Sequence, residues 1–309
     1  MVTSELNDIR GLLLSRRENP LGSLQEARES FDQLCKLFPA PPECSFASSV
    51  LGGVPVRVAT QPSAEASLLY VHGGGFMVGS AEGFEGIAGT LASAVSANAY
   101  IIDYRLAPEH PYPAAAEDFL AAYSAILDSC ESANEIVLVG DSAGAGLIVA
   151  SLIQAKSLSM AMPGCVVLFS PWIDLTLTGD SIQRKASVDC FLTLQKLQTC
   201  ATAFLGPDLG GATFILDSDL SGFPPLMIQV GSDEMLLDDS IRLARNAGVA
   251  GVDVKLEVWP CMFHVWQTFA PSLTEGRNAL AASADFINAV LGRAKAVKMA
   301  PCVAATGNI

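Results

Sequence analysis

The feature that most constrains the fold is a regular alternation of short apolar segments with stretches of helical periodicity. Helical patterns such as Gly86–Ala97, Ala114–Asp128 and Ala143–Ala155 lie between apolar runs that each end in a turn. This alternation predicts an α/β fold with a mostly parallel sheet covered by helices on both faces. A hairpin around Gly52-Gly53 brings the count to eight strands. The other six predicted strands are Ser67–Val71, Ala99–Asp103, Ile136–Val139, Val166–Phe169, Leu226–Val230 and Val254–Val258.

Two segments depart from this rhythm. Residues 1–40 alternate charges with apolar residues at helical spacing and end in a proline-rich run, which predicts one or two amphipathic helices outside the sheet. Between Phe169 and Leu226 only one helical stretch is recognisable, near Val188–Phe204, and an insertion of that length is typical of a lid. We therefore expect N-terminal cap helices at 1–45, a catalytic domain at 46–295 with a cap insertion at about 178–212, and a flexible tail at 296–309.

The charge balance and the cysteines limit the partners. The 309 residues carry 18 Lys and Arg against 32 Asp and Glu, a net charge of −14, which disfavours binding to nucleic acid or to anionic lipid. Eight cysteines without a CxxC pair indicate neither a zinc site nor a disulfide framework. The start of the chain lacks a basic region followed by an apolar run, and about 18 consecutive apolar residues occur nowhere. These features predict a soluble cytoplasmic protein.

The motif Gly140-Asp141-Ser142-Ala143-Gly144 directly follows a predicted strand and opens a helix. In that context G-x-S-x-G predicts a nucleophilic serine on a sharp turn, with small neighbours that leave the hydroxyl exposed. The amides at the start of the helix are available to an oxyanion. Ser142 is therefore the candidate nucleophile, and the alternative interpretation is a glycine-rich turn without chemistry.

A second glycine motif, His72-Gly73-Gly74-Gly75, ends the strand Ser67–Val71. Consecutive glycines allow backbone amides to face a cavity without intervening side chains, which is typical of an oxyanion-binding loop. The alternatives are a flexible turn or a phosphate-binding loop. The phosphate alternative is weak, because no Lys-Ser or Lys-Thr follows and the spacing is not GxGxxG.

The three histidines of the chain offer one candidate base. His72 precedes the glycine loop and is better placed to hold that loop, and His110 lies in a rigid segment between prolines. His264 follows the last predicted strand, on the side of the sheet where Ser142 emerges. The candidate acids are Asp233 and Glu234, two adjacent carboxylates after the strand Leu226–Val230, and spacing alone leaves this choice open.

The chain resembles the bacterial hormone-sensitive-lipase-like esterases, a branch of the α/β-hydrolases. The similarity extends over residues 45–292, and the combination of the glycine loop with GDSAG is highly specific. The matching motifs, in the family's order, are HGGGF at 72–76, DYRLAPEHPYPAA at 103–115, GDSAG at 140–144, SPWIDLTL at 170–177, GFPPLMIQVG at 222–231 and MFHVW at 262–266.

The resemblance implies an eight-stranded sheet with a helical cap built partly from the N-terminus, and an oxyanion hole formed by the amides of Gly74, Gly75 and Ala143. It favours Glu234 over Asp233 as the acid, because family members usually carry Leu at the second position after the acid and acidic residues at the fourth and fifth. Glu departs from the commoner Asp of the family. A second departure is Ala145, where many relatives have glycine.

Three charged residues in the matched region, Asp103, Arg105 and Glu109, are expected to form a structural ion-pair network behind the glycine loop. Trp172 and Asp174 are expected to shape the start of the cap. Both expectations come from the resemblance rather than from the residue pattern.

Together these features predict a serine carboxylesterase that hydrolyses small, short-acyl-chain esters through an acyl-enzyme, without metal or cofactor. The alternatives are a lipase acting on longer acyl chains and a non-catalytic ligand-binding homologue, as in related plant receptors that lose the histidine. The resemblance also makes a homodimer an expectation, although no sequence feature identifies an interface.

Overall fold

The computed structural model of the protein describes residues 3–18, 22–42, 44–206 and 215–293. These residues form one eight-stranded sheet in the order β1-β2-β4-β3-β5-β6-β7-β8, which confirms the predicted α/β class and strand number. The strands are β1 (Ala47–Leu51), β2 (Val54–Ala59), β3 (Ala66–Val71), β4 (Ala97–Ile102), β5 (Ile136–Asp141), β6 (Cys165–Phe169), β7 (Leu226–Gly231) and β8 (Val254–Trp259).

Helices cover the sheet, as expected for parallel strands joined by crossover connections. Shorter helical turns connect some of these elements, for example Ile215–Asp217 between the cap region and β7. The α-helices of the described residues are α1 (Ser4–Glu18), α2 (Leu24–Cys35), α3 (Glu85–Ala94), α4 (Ala114–Ser129), α5 (Ser142–Ser157), α6 (Ser181–Arg184), α7 (Leu194–Leu205), α8 (Leu237–Val249) and α9 (Thr274–Val290).

The parallel part of the sheet determines where the functional residues meet. The hairpin β1–β2 adds antiparallel strands at one side, and β4, β3, β5, β6, β7 and β8 run parallel. Val71 pairs with Gly140, and Gly231 pairs with Trp259, so the carboxyl ends of the strands are in register. The loops that follow β3, β5, β7 and β8 therefore emerge at one edge of the sheet.

The core lies on both faces of the central strands. Every residue of β3, β5, β6 and β7 is buried, which matches the continuous apolar runs that identified them. One predicted boundary is wrong. The helix expected over Gly86–Ala97 ends at Ala94, because Ser96 adopts a left-handed φ of 49° and Ala97 begins β4.

The N-terminal region forms two helices, within the predicted range of one or two. The apolar face of α1, made by Leu6, Ile9 and Leu13, packs into a cluster that includes Phe263 and Trp266 on the loop after β8. Helix α2 begins with a capping box, in which the Ser23 hydroxyl accepts from the Glu26 amide at 3.2 Å. The N-terminal helices therefore rest on the segment that carries His264.

The helix predicted near Val188–Phe204 begins later, at Leu194, where the Thr193 hydroxyl caps it by accepting from the Lys196 amide. The assignment of 1–45 and 178–212 as a cap stays a prediction. The tail expected at 296–309 and the end of the insertion, 207–212, lie outside the described residues. No helix within the described ranges is both long and apolar enough to cross a bilayer.

Candidate active site

Ser142 occupies the turn between β5 and α5, in a left-handed backbone conformation with φ of 51°. A methyl group on Gly144 would lie 2.1 Å from the Val71 carbonyl oxygen, so only glycine allows α5 to start this close to β3. At Gly140 a methyl group would lie 2.7 Å from Ile148 Cδ1. The small residues of the motif are thus required by the sharp strand-to-helix turn that presents the serine.

The structure brings Ser142, His264 and Glu234 into one chain of hydrogen bonds. Ser142 Oγ lies 2.9 Å from His264 Nε2, and His264 Nδ1 lies 2.6 Å from Glu234 Oε2. Glu234 is fully buried and His264 is 2% exposed, whereas Ser142 retains 8% of its surface. The serine hydroxyl is the member of the chain that a substrate reaches most directly.

Further hydrogen bonds fix the Glu234 carboxylate. Its Oε1 accepts from the Gly231 amide at 2.6 Å and from the Ser170 hydroxyl at 2.9 Å. The Ser170 Oγ in turn accepts from the amide of Val265, next to His264, at 3.1 Å. Ser170 therefore joins the loop that carries the carboxylate to the loop that carries the imidazole.

The environment of His264 favours its protonated form. Burial lowers the pKa of this imidazole, but the hydrogen bond and charge of Glu234 and the charges of Asp189 and Asp141 outweigh burial, so the pKa lies above its ordinary value. An imidazole with these neighbours is a stronger base toward the serine proton than a free histidine.

Asp233, the alternative acid, contacts α1 instead of the imidazole. Its Oδ2 accepts from Arg10 Nη2 of α1 at 2.6 Å, and its Oδ1 accepts from the Ser232 hydroxyl at 3.1 Å. The same Arg10 nitrogen donates to the Cys261 carbonyl oxygen at 2.6 Å. Of the two adjacent carboxylates, only Glu234 contacts the imidazole.

The glycine loop lies between the end of β3 and the elbow. Gly73 N donates to Asp141 Oδ1 at 2.9 Å, which ties the loop to the residue before Ser142. Gly74 and Gly75 adopt φ values of 117° and 61°, which favour glycine. The backbone amides of Gly74, Gly75 and Ala143 donate to no other described residue, so all three are available to a ligand atom.

A cavity of about 210 Å³ lies beside the elbow. Neither Ser142 nor His264 lines it, but its walls include Gly146, one turn along α5, and Trp172, whose amide donates to the Ser142 carbonyl oxygen at 3.0 Å. Phe76, directly after the glycine loop, stacks on Phe204 of α7 with ring centroids 3.8 Å apart. Phe76, Phe204 and Trp172 thus form an aromatic wall of the cavity.

The chain is similar to known esterases in both sequence and structure. A sequence model described as alpha/beta hydrolase fold matches residues 68–268. An acetyl-hydrolase of Streptomyces hygroscopicus is 35% identical over 94% of this chain and 99% of that protein, and an esterase of Acinetobacter venetianus is 36% identical over 84% and 87%. A crystal structure of an esterase from the bacterial hormone-sensitive lipase (HSL) family matches with a TM-score of 0.90 and 36% identity, covering 94% of this chain and 100% of the other.

The chain belongs to the bacterial HSL family of α/β-hydrolases. The relatives named esterase and acetyl-hydrolase, with the family fold, show that this HSL-family protein is a carboxylic ester hydrolase. The predicted resemblance, fold and enzyme class are therefore confirmed.

The other two histidines of this HSL-family esterase are not part of the hydrogen-bond chain that includes Ser142. His72 is fully buried between the rings of Phe84 and Tyr104, and its Nδ1 donates to the Gly73 carbonyl oxygen at 2.7 Å. Burial lowers the pKa of His72, which keeps the ring neutral. His110 is exposed. The structural role predicted for His72 agrees with these contacts.

The ion-pair network expected from Asp103, Arg105 and Glu109 is wrong. Among the ion pairs of the described residues none joins two of the three, because each side chain faces a different element. Arg105 pairs with Glu117 and Asp118 of α4, and Glu109 pairs with Arg28 of α2. Asp103 accepts from the Ala81 amide at 3.0 Å.

A second polar cluster organises the segment after β6, where the cap was expected to begin. Asp239 Oδ2 accepts from the amides of Ile173 and Asp174 at 2.7 and 2.8 Å, and burial raises the pKa of Asp239 to about 7. Burial also acts to raise the pKa of Asp174, but bonds from Thr176, Thr178 and Arg242 prevail and lower it to about 2. Asp174 thus shapes this segment as an anion.

Sequence reasoning missed Arg10, Ser170 and Asp189, all of which contact residues of the loop after β7. The only local signal for a role of Arg10 is its position on α1, one residue after the buried Ile9. Ser170 begins the matched SPWIDLTL motif. Asp189 lies in no recognised motif, and its partner on the acid loop, Met235, is 46 residues away.

Proposed function

We propose that this esterase hydrolyses small esters with short acyl chains, with Ser142 as nucleophile, His264 as general base and Glu234 as the acid that orients the imidazole. The observation that carries the proposal is the unbroken chain of hydrogen bonds from Ser142 Oγ through the imidazole to a carboxylate that is completely buried. A serine is a weak nucleophile at its ordinary pKa and needs such a base to attack a carbonyl carbon.

In the first half of the reaction, His264 Nε2 takes the hydroxyl proton of Ser142 as Oγ bonds to the ester carbonyl carbon. The carbonyl oxygen becomes an oxyanion, and the imidazole becomes an imidazolium beside the Glu234 carboxylate. The imidazolium then gives its proton to the departing alkoxide as the carbon–oxygen bond breaks. An alcohol leaves, and the acyl group remains on Ser142.

In the second half, His264 takes a proton from water as the water oxygen attacks the acyl carbon. The tetrahedral intermediate collapses, the Ser142 oxygen leaves, and the imidazolium returns the proton to it. The products are a carboxylic acid and the free enzyme. Every proton moves through Nε2, which lies 2.9 Å from the serine oxygen.

We assign the oxyanion hole to the amides of Gly74, Gly75 and Ala143. Three features support this assignment: these amides have no donor contact with other described residues, Ala143 lies in the first turn of α5, and both glycines have positive φ. A helix N-terminus carries partial positive charge, which stabilises a nearby anion. One such donor is worth about 3–4 kcal/mol of the barrier.

The preference for short acyl chains rests on the aromatic wall of Phe76, Phe204 and Trp172. Phe204 belongs to α7, so the wall spans the catalytic domain and the insertion. We propose that these rings restrict the entry of a long acyl chain into the cavity of about 210 Å³ that they line. That cavity is the feature that favours the alternative, a lipase for longer chains.

The test is steady-state and pre-steady-state hydrolysis of p-nitrophenyl esters from acetate to dodecanoate. We expect the highest kcat/KM for short chains, a burst of p-nitrophenol that reports the acyl-enzyme, and loss of turnover in Ser142→Ala. His264→Asn is expected to be equally inactive. His110→Asn is the matched control, because it alters an exposed histidine and should keep full activity.

Unchanged turnover in Ser142→Ala overturns the mechanism, and absence of turnover in the wild type favours the ligand-binding alternative. A maximum at dodecanoate overturns the short-chain assignment alone. Dimerisation stays a prediction, and sedimentation velocity measures it directly.

A further inference from the structure

A second carboxylate, that of Asp189, is completely buried beside the residues proposed as the triad. The side chain is 0% exposed, and no ion pair within the described ranges includes it. Its oxygens accept three backbone hydrogen bonds at 2.8 Å, from Phe191 and Leu192 to Oδ1 and from Met235 to Oδ2. An anion without a cationic partner is costly to bury, so this position calls for an explanation.

The contacts of Asp189 reach both proposed partners of the serine. Met235, whose amide it binds, directly follows Glu234 in the chain. Phe191, whose amide it also binds, places its ring with the centroid 5.7 Å from that of His264. The carboxylate thus holds the backbone of the acid loop on one side and the residue that packs against the imidazole on the other.

The segment that carries Asp189 is itself fixed by the N-terminal helix. Arg17 of α1 donates from Nη1 to the Asp189 carbonyl oxygen and from Nη2 to the Ala186 carbonyl oxygen at 3.1 Å. The neighbouring Arg16 binds Ser30 of α2 instead, through its carbonyl and hydroxyl oxygens. Two adjacent arginines therefore have separate partners, and only Arg17 restrains the Asp189 segment.

The charges that face the imidazole come from three elements. Glu234 lies on the loop after β7, Asp189 on the segment between β6 and α7, and Asp141 at the end of β5, and all three favour the protonated ring. Of the α1 arginines, Arg10 is occupied by Asp233 and the Cys261 carbonyl oxygen, and Arg17 binds the backbone carbonyl oxygens of Asp189 and Ala186. Burial raises the pKa of Asp189, whereas the charge of His264 and the three backbone hydrogen bonds act to lower it, so the imidazolium and the Asp189 carboxylate stabilise each other.

We infer that Asp189 is a positioning residue: it fixes the Met235 amide, and through it the orientation of Glu234, and it supplies a second negative charge that stabilises the His264 imidazolium. The inference rests on the proposed Ser142–His264–Glu234 mechanism. Asp189 touches no reacting atom in that mechanism, so it acts only through the two residues beside it.

Asp189→Asn tests the inference with little change in volume. If the asparagine oxygen keeps the bonds from Phe191 and Leu192, its NH2 group faces the Met235 N–H, and that bond is lost. We expect kcat to fall about tenfold or more, because small misplacements of catalytic groups are costly. We also expect the acid limb of the pH profile of kcat/KM to move to lower pH, because the imidazolium loses a stabilising charge.

Asp239→Asn is the matched control. Asp239 is a buried carboxylate of α8, and it binds the amides of Ile173 and Asp174 rather than that of Met235. We expect its acid limb and kcat to match the wild type. Rates are normalised to the fraction of Ser142 that a fluorophosphonate labels, so that misfolded protein is not counted. An unmoved acid limb in Asp189→Asn, or an equal shift in Asp239→Asn, overturns the inference.

A second pair of variants keeps the test independent of whether Asp189→Asn folds. Arg17→Gln releases the Asp189 segment from α1, whereas Arg16→Gln affects only the contact with α2. We expect kcat to fall several-fold more in Arg17→Gln, with a smaller change in KM for p-nitrophenyl acetate. Equal kcat in the two variants contradicts the inference, whereas activity in Ser142→Ala contradicts the underlying mechanism instead.

Discussion

Arg10 Nη2 lies 2.6 Å from Asp233 Oδ2, so the carboxylate next to Glu234 is bound to the N-terminal helix rather than to the imidazole. The pair is about three-quarters buried on each side, with exposed fractions of 24% and 22%. The same guanidinium reaches the Cys261 carbonyl oxygen, three residues before His264. The adjacent carboxylates of Asp233 and Glu234 therefore bind different groups, Arg10 and His264 respectively.

The first prediction distinguishes the role of Glu234 from that of Asp233. Glu234→Gln is expected to lower kcat by about 10³–10⁴-fold, because the amide donates to His264 Nδ1 and leaves the proton on the nitrogen that must accept from Ser142. Asp233→Asn is expected to keep kcat within a few-fold. Hydrolysis of p-nitrophenyl acetate at saturating substrate measures both. The reverse ranking would assign the acid to Asp233.

The second prediction concerns pH. A general base must be unprotonated in the free enzyme, so kcat/KM rises as pH increases through the pKa of His264. Glu234, Asp189 and Asp141 raise that pKa above its ordinary value despite burial. We expect the acid limb of kcat/KM to have its midpoint above about 6.5, the ordinary value for histidine. A midpoint well below it would mean that burial dominates at this imidazole.

The third prediction concerns chain length. Phe204→Ala removes the ring that stacks on Phe76 and enlarges the cavity that both rings line. We expect kcat/KM for p-nitrophenyl octanoate to rise about tenfold relative to acetate, the scale of one methylene group in an apolar pocket. Phe31→Ala, which alters an aromatic contact with Phe84 far from this wall, is the control. An unchanged order of preference would show that another element limits the chain.

The fourth prediction concerns stability. Burial raises the pKa of Asp239 to about 7, against about 3.9 in an unfolded chain. At a pH between these two pKa values, the Asp239 carboxyl is protonated in the folded state and ionised in the unfolded state. The free energy of unfolding therefore falls as pH rises from 4 to 7. At about 1.4 kcal/mol per pKa unit, the loss amounts to a few kcal/mol.

Asp239→Asn can keep both amide bonds and lacks this titration. We therefore expect the free energy of unfolding to fall less with rising pH in the variant than in the wild type, by a few kcal/mol. Urea unfolding at pH 5 and pH 8 measures the difference. Parallel curves for the two proteins would contradict a raised pKa at Asp239.

Sequence analysis identified the residues whose positions are indicated by the neighbouring sequence. Ser142 and the glycine loop each follow a strand and need small neighbours, and His264 follows the last strand, so order along the chain was sufficient. The choice between Asp233 and Glu234 has no local basis, because both follow β7. It depends on Arg10, more than 220 residues away, and on Ser170 and His264.

The errors have the same origin. The boundary of α3 was misplaced because alanine is common in both helices and strands, and the left-handed Ser96 that separates them has no distinct sequence signal. Arg105 and Glu109 lie close together in the chain but pair with different helices, α4 and α2. Asp189 was missed because its partner Met235 lies 46 residues away.

The contacts of Arg10 also bear on synthesis of the chain. Helix α1 is synthesised well before its partners at Asp233 and Cys261, which follow 223 and 251 residues later. At about 5–20 residues per second, the helix waits roughly 13–50 s for them. During that interval the apolar face of Leu6, Ile9 and Leu13 lacks the part of its docking surface that follows β8, including Phe263 and Trp266. A nascent chain of this protein therefore exposes part of this apolar face until the segment after β8 has been synthesised, and chains interrupted before residue 261 retain that exposure.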